Sequence, residues 1–282
     1  MKRTSRGSKP PLRTRCLRTL ALCAALYLLA GLGCASFQRR LIYFPPRFTP
    51  AQAQEQAAAD RLERWKGPSG NAVGWKRLSP TRPVEGQVLI MHGNADCACQ
   101  CGHYADVLQQ TAALDVFMVE YPGYADCPGA PSERALDESA SVALQLLDTN
   151  SPVYLVGESL GTGVAAYLAG RYPERVAGIA LLAPYNSLVD VAQGHIRIFP
   201  VRWLLCDRFP AEDHLRNYSG PVAVLLASGD TVVPPKYGRR LYDGYAGPKR
   251  LWEFSDLNHD SLMFQRAVVW KEVVAFWASP LH

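Results

Sequence analysis

The chain has 282 residues, 48% hydrophobic and 20% charged, a globular composition long enough for one large α/β domain and unlike that of a disordered or fibrous chain. Its net charge of +5 belongs to one end: seven of the 30 basic residues lie in the first 33 positions, leaving 23 against 25 acidic residues in the chain. That near-neutral remainder excludes the broad basic surface on which nucleic-acid binding depends.

Lys2, Arg3, Arg6, Lys9, Arg13, Arg15 and Arg18, with no acid among them, lead into the apolar run "LALCAALYLLAGLG". About 14 apolar residues fall short of the roughly 20 that a membrane span needs and fit the hydrophobic region of an export signal. "GLGCAS" follows and resembles the lipobox of bacterial lipoproteins, with Gly31 where a leucine is usual. The resemblance implies removal of residues 1–33 and lipidation of Cys34. With Ala35 in second place it implies an outer-membrane tether facing the periplasm. A short uncleaved inner-membrane anchor and a plain signal peptide releasing a soluble periplasmic protein are the alternatives. An oxidising compartment permits disulfides, and Cys97, Cys99, Cys101, Cys127 and Cys206 are available for them. A bridge between the 97–101 loop and Cys127 is the favoured pairing. A metal site through Cys97, Cys99, Cys101 and His103 is disfavoured, because C-x-C-x-C is not the CxxC spacing of structural zinc sites.

Residues 34–72 read as a tether and lead-in, and residues 73–282 as the folded domain. "RLIYFPP" is a possible edge strand stopped by Pro45 and Pro46, "AQAQEQAAADRLERW" is helix-prone, and "AVGWKRLS" reads as a strand before a Pro80/Pro83 turn. From there short apolar runs alternate with helix-like segments. "QVLIM", "DVFMVEY", "PVYLV", "VAGIALLAP", "PVAVLLASG" and "RLWEF" are the strand candidates. Leu136, Ala140, Ala143, Leu144 and Leu147 fall on one helical face, a helix is expected from about Leu160 to Gly170 behind "PVYLV", and "HDSLMFQRAVVWKEVVAFWA" reads as a final helix. Continuous apolar runs between helices predict an α/β fold with a parallel sheet covered on both sides. Sites in such sheets lie at the carboxyl ends of the strands.

After "PVYLV" stands Gly157-Glu158-Ser159-Leu160-Gly161, the G-x-S-x-G arrangement that presents a serine on a tight strand-to-helix turn. Gly157 and Gly161 let strand and helix backbones approach, and the helix N-terminus favours developing negative charge. The pattern alone arises by chance in roughly one chain in ten of this length; the strand before it and the helix after it give it weight. A serine needs a base, and the elbow predicts an acid and a histidine downstream, in that order. Asp230 follows "PVAVLLASG" and His259 follows "RLWEFSDLN", both at strand ends. His259 is the expected base and Asp230 its orienting acid. His92, His103, His195, His214 and His282 lack that placement. The expected oxyanion donors are the N–H of Leu160 and, from the loop "MHGNADC", the N–H of Asn94, with Ala95 next.

With these residues in place the sequence resembles the α/β-hydrolase superfamily, in its branch of serine hydrolases, lipases and thioesterases with an HGNA-type loop. "HGNA", "YPGY", "GESLGTG", "SGDTVVP" and "NHD" carry the likeness, which runs from about Arg40 to the final helix. The resemblance implies a mostly parallel sheet of about eight strands with a small cap after the sixth, around residues 185–215. It carries the roles over to Ser159, Asp230, His259, Leu160 and Asn94. "DCACQCGHY" departs from the family pattern and leaves the shape of the entrance open. The cap segment holds Ile196, Ile198, Phe199, Val201, Trp203, Leu204, Leu205 and Phe209 beside Arg197, Arg202 and Arg208. An acyl-binding lid that meets lipid headgroups and a set of helices packed over the sheet fit it equally.

The reading is a serine hydrolase that cleaves an acyl or lipid-like carboxylic ester or thioester through an acyl-enzyme on Ser159. Neither a metal nor an organic cofactor is expected. A peptidase or amidase with the same triad is the alternative, and a non-catalytic lipid-binding lipoprotein on the same fold is a third.

Overall fold

A computed structural model describes residues 12–279. Lys2, Arg3, Arg6, Lys9 and His282 lie outside the described residues. Helix α1 (Leu12–Ile42) runs without interruption through Cys34. Its stretch Cys16–Ile42, 27 residues with a mean hydropathy of 2.0 in its most apolar window, is long and apolar enough to cross a membrane by length and composition. Leu17, Leu20, Leu22, Leu26, Leu28 and Leu29 along it are exposed.

The expected "RLIYFPP" strand is replaced by the end of α1. Pro45 and Pro46 have no N–H to give a ladder, and the segment contributes only an isolated bridge between Arg47 and Ala125. Helix α2 (Pro50–Ala59) follows, with Thr49 and Gln52 forming a capping box. It stops earlier than the helix-prone run suggests. Arg61 turns into the left-handed region at φ 57°, and β1 (Glu63–Lys66) then pairs antiparallel with β2 (Ala72–Arg77). Buried Trp65 packs on Phe117 there, so tertiary pairing overrides local helix preference. The sheet thus begins ahead of residue 73.

The alternating pattern then unfolds as β3 (Gly86–Met91), α3 (Gly102–Gln109), β4 (Leu114–Val119), α4 (Glu133–Gln145), β5 (Val153–Glu158), α5 (Leu160–Arg171) and β6 (Val176–Leu182). The segment after β6 carries α6 (Leu188–His195), α7 (Val201–Leu204) and α8 (Ala211–Leu215). The domain closes with β7 (Val222–Ala227), α9 (Pro235–Gly244), β8 (Lys249–Phe254), α10 (His259–Leu262) and α11 (Ala267–Trp277). The single final helix expected from 259 onward is therefore two. Asn258 and Ser261 box the start of α10, and α11 begins afresh with Trp270, Val273 and Trp277 buried.

The strands form one eight-stranded sheet in the order β1-β2-β4-β3-β5-β6-β7-β8. β1 and β2 run antiparallel to their neighbours, and β3 to β8 are parallel. Residues of β3 and β7 are buried throughout, the pattern of a sheet covered on both faces. One core joins the sheet to α4, α5 and α8, the other to α2, α3 and α11. The register places Met91 beside Gly157, Glu158 beside Leu182, and Leu182 beside Leu225. The carboxyl ends of β3, β5, β6 and β7 therefore open onto one edge of the sheet.

Candidate active site

Ser159 occupies that edge between β5 and α5. Its backbone has φ 49° and ψ −112°, a conformation that costs about 1–3 kcal/mol and persists only where its surroundings enforce it. The enforcement is close packing. A Cβ on Gly161 would stand 2.1 Å from the Met91 carbonyl oxygen, and one on Gly157 would stand 2.7 Å from that of Gly161. The Ser159 N–H stays in the ladder, donating to the Leu182 carbonyl at 2.9 Å, while the side chain leaves the sheet.

The side chain meets His259. Its Oγ lies 3.1 Å from Nε2 of the imidazole, and Nδ1 of the same ring lies 2.7 Å from Asp230 Oδ2. The other Asp230 oxygen accepts the N–H groups of Val232 at 2.9 Å and Val233 at 2.8 Å. The Asp230 side chain is 1% exposed and that of His259 15%. The loop after β7 thus aims a buried carboxylate at one ring nitrogen, and the capped start of α10 aims the other at Ser159. The three side chains singled out in sequence are brought together from β5, β7 and α10.

Leu160 opens α5, whose first N–H groups have no intrahelical acceptor. Asn94 lies across the same cavity. Its side chain points away: Oδ1 accepts from Phe44 N at 3.1 Å and from Tyr124 Oη at 2.9 Å, and Nδ2 donates to the Ile42 carbonyl. Asn94 therefore ties the loop after β3 to the chain leaving α1. The cavity over Ser159 and His259 measures about 520 Å³, within the range of small-molecule sites. Ile42, Phe44, Leu188, Val191, Val232 and Met263 supply apolar walls. His103 also lines it, and burial lowers its pKa.

Beneath the loop lies a polar network that sequence reasoning missed. His92 is fully buried. Its Nδ1 is 2.9 Å from the Gly93 carbonyl, and its Nε2 3.2 Å from Glu120 Oε1. Burial pulls the His92 pKa down, but the Glu120 hydrogen bond and charge outweigh it, and the net shift is upward. Glu120 Oε2 accepts the Ala98 N–H at 3.1 Å. Glu158 accepts from Tyr104 Oη at 2.8 Å. Burial, helped by the charge of Asp96, pushes Glu158 up to about 7. Placement was the available signal: Glu120 directly follows β4 and Glu158 ends β5, both at carboxyl edges.

The cysteine loop differs from expectation. All eight cysteines are free thiols. Cys97, Cys99 and Cys101 are buried, with the Cys97 and Cys99 sulfurs 3.3 Å apart. Cys127 faces the Pro128 carbonyl rather than that loop, so the expected bridge is not formed. The sulfurs of the 97–101 loop are engaged within it, Cys97 with Cys99 and Gln100 and Cys101 with the Cys97 carbonyl. Among the described residues no three His, Cys, Asp or Glu side chains group as a metal site.

The segment after β6 divides in two. Phe209, Ala211 and Leu215 are buried against the α5 side of the sheet, whereas Ile196, Ile198 and Trp203 stay exposed. Its middle is gripped from two directions. Asp207 accepts from Arg39 at 3.0 Å and from Tyr43 Oη at 3.1 Å. Glu133, at the start of α4, accepts the N–H groups of Arg208 and Phe209.

Comparison with known proteins agrees with this architecture. Residues 86–213 match the family described as alpha/beta hydrolase fold. An uncharacterised protein of Mycobacterium tuberculosis is 32% identical over 256 residues, 87% of this chain and 89% of its own length. The lysophosphatidylserine lipase ABHD12 of Rattus norvegicus is 29% identical over 236 residues, and the match spans 73% of this chain and 58% of that protein. Among solved structures, Est1E of Butyrivibrio proteoclasticus with ferulic acid bound superposes with a TM-score of 0.63 at 15% identity, covering 77% of this chain and 100% of its own. The monoacylglycerol lipase of Paleococcus ferrophilus gives 0.56 at 19% identity, covering 77% and 99%. The chain belongs to the α/β hydrolase fold family.

Proposed function

We propose that the protein is a serine hydrolase that cleaves a carboxylic ester or thioester of an acyl, lipid-like substrate. The observation that carries this reading is the unbroken contact from Asp230 through His259 to Ser159, ending in an apolar cavity. His259 Nε2 takes the Ser159 proton as Oγ bonds to the acyl carbon. The carbonyl electrons move to its oxygen, which the N–H groups of Leu160 and Asn94 stabilise. Asp230 stabilises the imidazolium through Nδ1. The tetrahedral species then collapses, the bond to the alcohol or thiol breaks, and His259 returns the proton to that leaving group. Water repeats the sequence on the acyl-enzyme and frees the acid.

The apolar walls favour an acyl substrate over a charged one. The rat relative named a lysophosphatidylserine lipase and the archaeal structure named a monoacylglycerol lipase support the same class. Helix α1 attaches the domain to a bilayer. Two routes meet that need: retention of the whole helix, or processing before Cys34 with lipid on its sulfur. Contacts upstream of Cys34 favour retention. Tyr27 Oη donates to the Ile198 carbonyl at 2.7 Å and its ring stacks on Phe199 with centroids 5.1 Å apart, and both contacts would leave with residues 1–33.

The nucleophile has a direct test. A fluorophosphonate probe labels the wild-type chain and not Ser159→Ala, and hydrolysis of p-nitrophenyl esters falls by about 10⁴–10⁶-fold in that variant. Undiminished labelling of Ser159→Ala would remove the serine from the mechanism.

A further inference from the structure

The cavity over Ser159 has an apolar neighbour. A second apolar cavity of about 460 Å³ lies between the last turns of α1 and the segment after β6. Ile42, Leu188, Val191 and Val232 line both spaces. One wall is a stripe of α1, Cys34, Ala35, Gln38, Leu41 and Ile42, whose spacing keeps them on one helical face. The facing wall is the matching stripe of α6, Leu188, Val191, Ala192 and His195. From Cys34 to Ile42 the α1 wall extends about 12 Å, at 1.5 Å per residue.

The groove has the chemistry of a hydrocarbon site. Its polar lining side chains, Gln38 and His195, already have protein partners. Gln38 donates to the Leu204 carbonyl at 3.2 Å and accepts the Cys206 N–H at 2.7 Å. His195 Nε2 lies 3.0 Å from the Val232 carbonyl. The remaining lining is almost wholly aliphatic and aromatic. Nor is α1 merely passing by: Tyr27, Gln38 and Arg39 all bond to the segment that forms the opposite wall. Upstream of Cys34 the same helix presents exposed leucines. The groove therefore lies between the serine cavity and the apolar face of the helix that meets the bilayer.

From this shared apolar wall we infer that the groove between α1 and α6 opens to the Ser159 cavity and holds the acyl chain of a lipid ester, with the ester carbonyl at Ser159. The anchor helix is then part of the substrate site as well as a tether. This rests on the hydrolase reading above and names its substrate class: esters of long, unbranched acyl chains drawn from a membrane or micelle.

The test uses the full-length chain in detergent micelles with p-nitrophenyl butyrate and p-nitrophenyl palmitate. Ala35→Trp and Ala192→Trp fill the groove from opposite walls and lie outside the Ser159 cavity. Each is expected to lower kcat/KM for palmitate by about tenfold or more while butyrate stays within about twofold. Butyrate turnover doubles as the measure of an intact fold. Ala192→Leu, a smaller insertion, is expected to give a partial loss on palmitate alone. If neither ester changes, or if both fall together in the leucine variant too, the groove does not hold the chain. A wild-type protein that turns over neither ester overturns the hydrolase reading itself, a failure distinct from the loss of chain-length discrimination.

Discussion

Ser159 and its neighbour Glu158 stand at the end of the same strand under opposite demands. The serine must be presented to the cavity, and the glutamate is buried beneath the loop after β3, held by Tyr104. Burial favours its neutral form, which moves its pKa from the usual carboxylate range up to about 7. Between those two values the folded chain keeps a proton that the unfolded chain has released. Its contribution to stability therefore falls as pH rises through that window and levels off above about 7. Glu158→Gln keeps an oxygen for the Tyr104 hydroxyl and abolishes the titration. The variant is expected to gain on the wild type by a few kcal/mol between pH 5 and pH 8, because each tenfold difference in proton affinity between folded and unfolded chain is worth about 1.4 kcal/mol. Thermal unfolding of both proteins at the two pH values measures it, and parallel pH profiles would show that Glu158 does not titrate in this window. The convergence of Ser159, His259 and Asp230 was legible because each follows an apolar run in the order the elbow requires. Glu120, Glu158 and His92 were not legible as a network, because their partners lie on separate strands and on α3, and only the tertiary fold brings them together.

At the scale of elements, the segment after β6 posed an open choice between lid and packing, and the fold adopts each in a different half. Short apolar stretches do not carry their partners' identity. Phe209 and Leu215 are covered by the α5 side of the sheet, and Ile196, Ile198 and Trp203 have no such neighbour. The junction is the turn at 207–209, where Phe209 adopts φ 40° and Glu133 accepts two successive N–H groups. Glu133→Ala leaves those donors without their acceptor and is expected to cost about 1–3 kcal/mol. The loss should be read locally as well as globally. Trypsin cleavage after Arg197, Arg202 and Arg208 is expected to accelerate several-fold relative to wild type, alongside a lower denaturation midpoint. Unchanged cleavage would mean that the turn holds without Glu133. The same scale explains β1: "ERWK" reads as helix by composition, and only the pairing with β2 and the burial of Trp65 make it a strand.

For the whole molecule, the decisive element is α1. Read as an apolar run alone, residues 20–33 are too short for a span. As a helix, the stretch Cys16–Ile42 counts 27 residues and extends about 40 Å at 1.5 Å per residue, beyond the about 30 Å of a bilayer core. On the proposed anchoring, the cluster of basic residues before it puts the N-terminus on the cytoplasmic side and the folded domain across the membrane. If the helix is retained, the full chain stays with the membrane after alkaline carbonate washing. Its intact mass then includes residues 1–33, and Cys34→Ser changes neither result. A mature chain that begins at a lipid-bearing Cys34 would replace this anchor with the lipoprotein arrangement.

Periodic burial and turn chemistry are written locally, so the sequence by itself determined the alternating strands and helices, the elbow around Ser159, and the order in which Asp230 and His259 follow it. Which surfaces meet is a long-range matter. The tertiary structure alone decided that α1 closes one side of the cap, that buried acids support the loop after β3, and that two apolar cavities share a wall beside the serine. Each of these depends on which of several equally apolar faces is covered by a distant segment, and a pattern read along one stretch of chain contains no information about its partner.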